Sequence, residues 1–88
     1  MTLKLEFARQ ANREFDRLAV SIQRRLRPRI DQLSEDPLPS GALKLSGHES
    51  YYRIRVGDYR VIYEIDHEQG IVIVVSVQHR SRAYRRLR

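Results

Sequence analysis

An 88-residue chain is close to the size at which one hydrophobic core only just offsets the entropy of ordering it. One domain spanning residues 1–88 is expected, with modest stability or stability completed by a partner. The absence of cysteine excludes a disulfide framework, a thiolate metal site and a thiol nucleophile, and fits a reducing, cytoplasmic compartment.

No apolar run approaches the length of a membrane span, and the first residues, "MTLKLEFARQANREF", do not read as an export signal. The formal charge is +6, and of the 17 basic residues all but Lys4 and Lys44 are arginine. Arginine grips phosphate through a rigid bidentate fork and stacks on bases, so this bias points to a polyanion more firmly than the charge does. RNA, DNA, an anionic membrane surface and an acidic protein all fit it.

In chain order, "TLKLEF" alternates Leu3, Leu5 and Phe7 with polar residues and reads as a half-buried strand. Phe7, Ala8, Ala11, Phe15, Leu18 and Ala19 then recur at helical spacing, with Arg9, Arg13 and Arg17 as an i, i+4 ladder on another face. The ladder reads as a solvated or partner-binding face. After a short "AV" link, Ile22, Leu26, Ile30 and Leu33 mark a second helix, with Ser21 as its cap. Pro28 lies inside that helix and predicts a kink or a break. "EDPLPSG" stops helical structure.

The remainder reads as sheet. "YYRIRV" and "YRVIYEI" flank Gly57-Asp58, a two-residue loop with glycine first, which is a hairpin signal. "IVIVVSVQ" is the last strand, apolar on both faces at its start, as a central strand is. The expected architecture is α+β: an antiparallel helical hairpin packed on a small, mainly antiparallel four-stranded sheet, followed by a short basic C-terminal segment.

With Gly57 and Asp58 as the loop, Arg55 faces Arg60 and Arg53 faces Ile62. Tyr52, Ile54, Val56, Tyr59, Val61 and Tyr63 then form one apolar face, and Arg53, Arg55 and Arg60 gather on the other. In the last strand parity places Val75 and Val77 on the apolar side and Ser76, Gln78 and Arg80 opposite. Two readings are open: a basic solvated face relieved by Glu64, or a concavity built for phosphate. A face chosen for solubility alternates charge signs, and Arg53, Arg55 and Arg60 do not.

The stretch "LKLSGHESYYRIRVGDYRVIYEI" and the closing "VSVQHRSRAYR", in a strand-helix-helix-strands order, resemble the RelE toxins of the RelE/ParE toxin-antitoxin superfamily. The resemblance covers nearly the whole chain and implies the RelE-like microbial ribonuclease fold. It also implies a ribosome-dependent endoribonuclease that cuts messenger RNA in the ribosomal A site and is neutralised by a cognate antitoxin. Operator DNA is reached only through that antitoxin, and no cofactor, metal or membrane is implied.

The chemistry the resemblance implies is attack of a ribose 2′-hydroxyl on its own phosphate, which needs a base, positive charge for the phosphorane and a donor for the leaving 5′-oxygen. By position, Arg53 and Arg55 match the family's two basic residues of one strand, Arg60 the arginine of the next, Arg80 the arginine ending the last strand and Tyr84 the tyrosine of the tail. Arg60 and Arg80 would clamp the phosphate, with Tyr84 stacking on a base or orienting the hydroxyl. The best-studied pattern has lysines where Arg53 and Arg55 stand, and arginine does not give up its proton.

His79 is the titratable candidate beside the site, although parity puts it on the packed side. Arg82, Arg85 and Arg86, with Arg53 and Arg55, are candidates for gripping RNA phosphates. His48, His67 and His79 show no metal-ligand spacing. Two other functions share the fold: a ParE-like toxin that inhibits DNA gyrase, and a catalytically inactive relative that only binds an antitoxin. The set Arg60, Arg80 and Tyr84 favours RNA cleavage over both.

Overall fold

The structure is a computed structural model, and residues 2–45, 47 and 50–81 of it are described below. The elements run β1 (Lys4–Phe7), α1 (Arg9–Asp16), α2 (Val20–Gln32), β2 (Leu43–Lys44), β3 (Tyr51–Val56), β4 (Tyr59–Asp66) and β5 (Ile71–His79). The strands form one sheet in the order β1-β5-β4-β3-β2. All pairings are antiparallel except β1 with β5, which is parallel.

The expected α+β class holds, with five strands instead of four. The extra one is β2, whose Leu43 faces Arg53 and whose Lys44 faces Tyr52. Two residues after a proline-rich turn are too few to show alternation, so no periodicity announces them.

The helices depart from expectation in detail. Helix α1 starts at Arg9, because Phe7 stays in β1 opposite Val74. Ser21 is not a cap: Ala19 is the N-cap, its carbonyl accepting from the Ile22 and Gln23 N–H groups, and no side chain caps the helix. The Gln23 amide instead donates back to the Phe15 carbonyl at 2.9 Å, tying α2 to the end of α1. Helix α2 runs unbroken through Pro28. Leu26, Ile30 and Leu33 are almost fully buried around it, and tertiary burial outweighs the hydrogen bond that Pro28 denies the Arg24 carbonyl.

The core lies between the helices and one sheet face, where Ala11, Leu26, Ile30 and Leu33 meet Ile54, Val56, Val61, Tyr63, Ile65, Val72, Val74 and Val77. Val75 is not in it, contrary to simple parity. The β4–β5 register runs Ile62 to Ser76 and then Tyr63 to Val74, so Val75 is the extra residue of a bulge. The bulge resets the alternation and gives Val72 and Val74 the inward positions.

Tyr63 is wholly buried, its ring stacked on Tyr52 at 6.0 Å and its hydroxyl donating to the Pro37 carbonyl at 2.7 Å. Burial first, then Tyr52, then Asp36 push its phenol up to about 12. An unfolded tyrosine ionises near 10, so this contribution to stability is fully present below about pH 10 and lost as pH rises through about 12. Urea unfolding across that range should show the decline. Tyr63→Phe should flatten it, while costing about 1 kcal/mol at neutral pH for the stranded Pro37 carbonyl.

Candidate active site

The turn between β3 and β4 determines which side chains meet. Val56 faces Tyr59, leaving Gly57 and Asp58 as a two-residue loop. Gly57 has φ +60° and no other residue of the loop has a positive φ, the pattern of a type II′ turn with glycine first. A side chain there would be strained, and it would also meet the Arg25 guanidinium, whose Nη2 lies 2.7 Å from where a Cβ would stand.

That register sets Arg55 directly against Arg60 and Arg53 against Ile62. Arg60 in turn faces Gln78 of β5, and Ile62 faces Ser76. Beyond β5 the Arg80 N–H donates to the Asp58 carbonyl at 2.8 Å, which brings the Arg80 backbone to the hairpin turn. Arg55, Arg60 and Arg80 thereby line one cavity of about 350 Å³, together with Gly57, Tyr59 and Ser81. No carboxylate stands among its described lining residues.

Arg53 lies further along the same face. Its guanidinium is held below the ordinary arginine value, by burial first and then by the positive charges of Arg55 and Arg60. Three cations thus sense one another across two strands, and like charges set opposite each other in a sheet are destabilising. The stems have a second use. Ile62 is only 3% exposed yet lies on this face, outside the main core, opposite Arg53 and two residues from Arg60, whose stems are long enough to cover it.

His79 lies on the other side. It faces Tyr59, whose ring it meets edge-on at 5.4 Å, and its Nδ1 is 3.2 Å from the Ser81 hydroxyl. It lines a separate groove of about 710 Å³ between α1 and the end of β5, with Arg9, Arg13 and Arg17. Tyr84, Arg82, Arg85 and Arg86 lie outside the described residues, as does His48.

The lining roles of Gly57, Tyr59 and Ser81 and the approach of Arg25 carry no local sequence signal, since each depends on how α2 and the end of β5 close on the hairpin. Among the described residues no group of three or more His, Asp or Glu is placed to hold a metal ion, and no helix is long and apolar enough to cross a membrane.

A cavity of converging guanidiniums is chemically an oxyanion binder. Inorganic phosphate should raise the melting temperature of the protein, by the linkage between binding and folding, and more than chloride does at equal ionic strength. The difference should vanish in Arg60→Ala and Arg80→Ala; a rise that survives both would place the anion elsewhere.

Comparison with known proteins agrees with this fold. The profile of the family described as "ParE toxin of type II toxin-antitoxin system, parDE" matches residues 5–84. The mRNA interferase toxin RelE of Escherichia coli K12 is 29% identical over 85 residues, covering 94% of this chain and 88% of that one. The archaeal RelE–RelB complex from Pyrococcus horikoshii contains a chain that superposes with a TM-score of 0.79 at 29% identity, covering 93% of this chain and 99% of that one. The intact RelBE toxin-antitoxin complex of Escherichia coli gives 0.77 at 28% identity, covering 88% and 95%. The chain described here belongs to the ParE-toxin family of type II toxin-antitoxin systems and, within it, to the RelE toxins.

Proposed function

We propose that this toxin is an endoribonuclease that cuts messenger RNA in the A site of the ribosome and so arrests translation. The observation that carries the reading is the cavity in which Arg55, Arg60 and Arg80 converge with no carboxylate among its described lining residues. The names of the relatives support it: one is called an mRNA interferase.

In the proposed reaction the 2′-oxygen forms a bond to the adjacent phosphorus while the bond from phosphorus to the 5′-oxygen breaks. Water takes the 2′-hydroxyl proton and supplies one to the 5′-oxygen, so that a cyclic phosphate and a 5′-hydroxyl result. Arg60 and Arg80 clamp the non-bridging oxygens, where negative charge grows most in the phosphorane, and Arg80 hydrogen-bonds the leaving oxygen. Arg53 and Arg55 hold flanking phosphates. Tyr84 stacks on a base, and Arg82, Arg85 and Arg86 grip RNA.

Arginine is a poor base, and His79 faces the opposite groove. The reaction therefore draws chiefly on charge stabilisation and on alignment of the message by the ribosome, which by itself can be worth several orders of magnitude. His79 acts as the base only if ribosome binding turns it toward the cavity.

The test is primer extension on a defined message carried by stalled ribosomes. Wild-type protein should cut in the A site, Arg60→Ala and Arg80→Ala should each lower the rate by about a hundredfold or more, and His79→Ala should change it by less than tenfold. A folded wild-type protein that leaves the message intact would overturn the reading and send the question to DNA gyrase, the target expected of a ParE-like toxin.

The partner in this proposal is a cognate antitoxin, as in the two complexes to which the chain is similar, and the toxin meets operator DNA only through it. It acts in the cytoplasm as a single toxin domain. Co-expression with the adjacent open reading frame should yield a complex that survives gel filtration; a toxin eluting alone would count against it.

A further inference from the structure

Strand β1 protects only the first half of one edge of β5. Pairing ends where Phe7 faces Val74 and the Ala8 N–H donates to the Val74 carbonyl at 2.8 Å. Past that point the outer edge of β5 is met by a side chain instead of a strand. The carboxylate of Glu14, on α1, accepts the Val77 backbone N–H at 2.9 Å, the Ser76 hydroxyl at 2.9 Å and the Gln78 side-chain amide at 3.3 Å. Ser76 and Gln78 are each 5% exposed.

One carboxylate thus satisfies a backbone donor and two nearly buried polar side chains. It can do so because an ionised carboxylate offers about four acceptor positions and no competing donor.

The segment it holds is the one that ends in the cavity. Gln78 faces Arg60 across the sheet, and Arg80 follows two residues later with its N–H on the Asp58 carbonyl. The end of β5 is therefore gripped from both sides, by Glu14 on its outer edge and by the hairpin turn on its inner one. A carboxylate at this point also sits beside a face rich in arginine, so its charge and its geometry make opposite predictions. As a counter-charge it would weaken phosphate binding; as an anchor it would strengthen it.

We infer that Glu14 is a positioning residue for the arginine cavity: standing in for the missing strand at the β5 edge, it sets where Arg80 meets Arg60 and hence how both guanidiniums engage one phosphate. The inference rests on Arg60 and Arg80 being the phosphate clamp, as in the function proposed above. Glutamine should substitute for Glu14 in large part. Its Oε1 can accept from Val77 and Ser76, and its amide can donate to Gln78 Oε1, which is buried and has no hydrogen-bond partner among the described residues.

The experiment titrates the folded protein with inorganic phosphate while following the guanidinium Nε–H signals of Arg60 and Arg80, and separately measures cleavage on stalled ribosomes. The variants are Glu14→Ala, Glu14→Gln and Val72→Ala, the last a buried change at the far end of β5 that serves as a destabilised control. Glu14→Ala should weaken phosphate binding by about tenfold and lower kcat at least as much, with KM for ribosomes within about threefold, because small misplacements of catalytic groups cost orders of magnitude.

Glu14→Gln should recover most of both, and Val72→Ala should leave both unchanged. If Glu14→Ala does not fold, Glu14→Asp, one methylene shorter, is held to the same thresholds. Tighter phosphate binding in Glu14→Ala and Glu14→Gln would show a counter-charge and overturn the inference. So would wild-type affinity in folded Glu14→Ala, or equal losses in Val72→Ala. A wild-type protein that binds phosphate yet cuts no message would sink the nuclease reading alone, since the titration needs no cleavage.

Discussion

The two-residue turn at Gly57 and Asp58 is the constraint on which the rest depends. Because side chains alternate with a period of two, a loop one residue longer would flip every β4 residue to the other face. Arg60 would then point at the helices and Val61 at solvent. The positive φ of Gly57 lets the turn follow the twist of the strands, and the resulting register delivers Ile54, Val56, Val61 and Tyr63 to the core and Arg55 and Arg60 to the cavity in a single step.

The arginine face is built against local stability. Arg55 stands directly opposite Arg60, and burial first, then both charges, depress the proton affinity of Arg53. In a chain whose core is small, such repulsion is a cost that a purely structural sheet would relieve with alternating charge. Ile62, on the face away from the helices, is nonetheless only 3% exposed.

Edges matter as much as faces. Strand β1 is short, and the uncovered part of β5 is closed by Glu14 instead of by backbone. The first helix thereby joins the end of β5 through hydrogen bonds as well as through apolar packing. At the opposite edge the sheet ends in β2, only two residues long, which limits how much unpaired backbone it offers to another chain.

Much of this was legible in the sequence. Alternation in residues 51–65, the glycine of the turn and the helical spacing of Leu26, Ile30 and Leu33 are local patterns, and they sufficed for the class of fold, the hairpin register and the convergence of Arg53, Arg55 and Arg60. Parity also placed Arg80 on the arginine side and His79 with Val77. Other features were decided only by the tertiary structure, because they arise between segments far apart in the chain. A helix survives Pro28 since its neighbours are buried, Val75 is displaced by a bulge against Ile62 and Tyr63, and β2 exists only as a partner for β3. Arg25 reaches Gly57, and Glu14 reaches the end of β5, through contacts that no periodicity encodes.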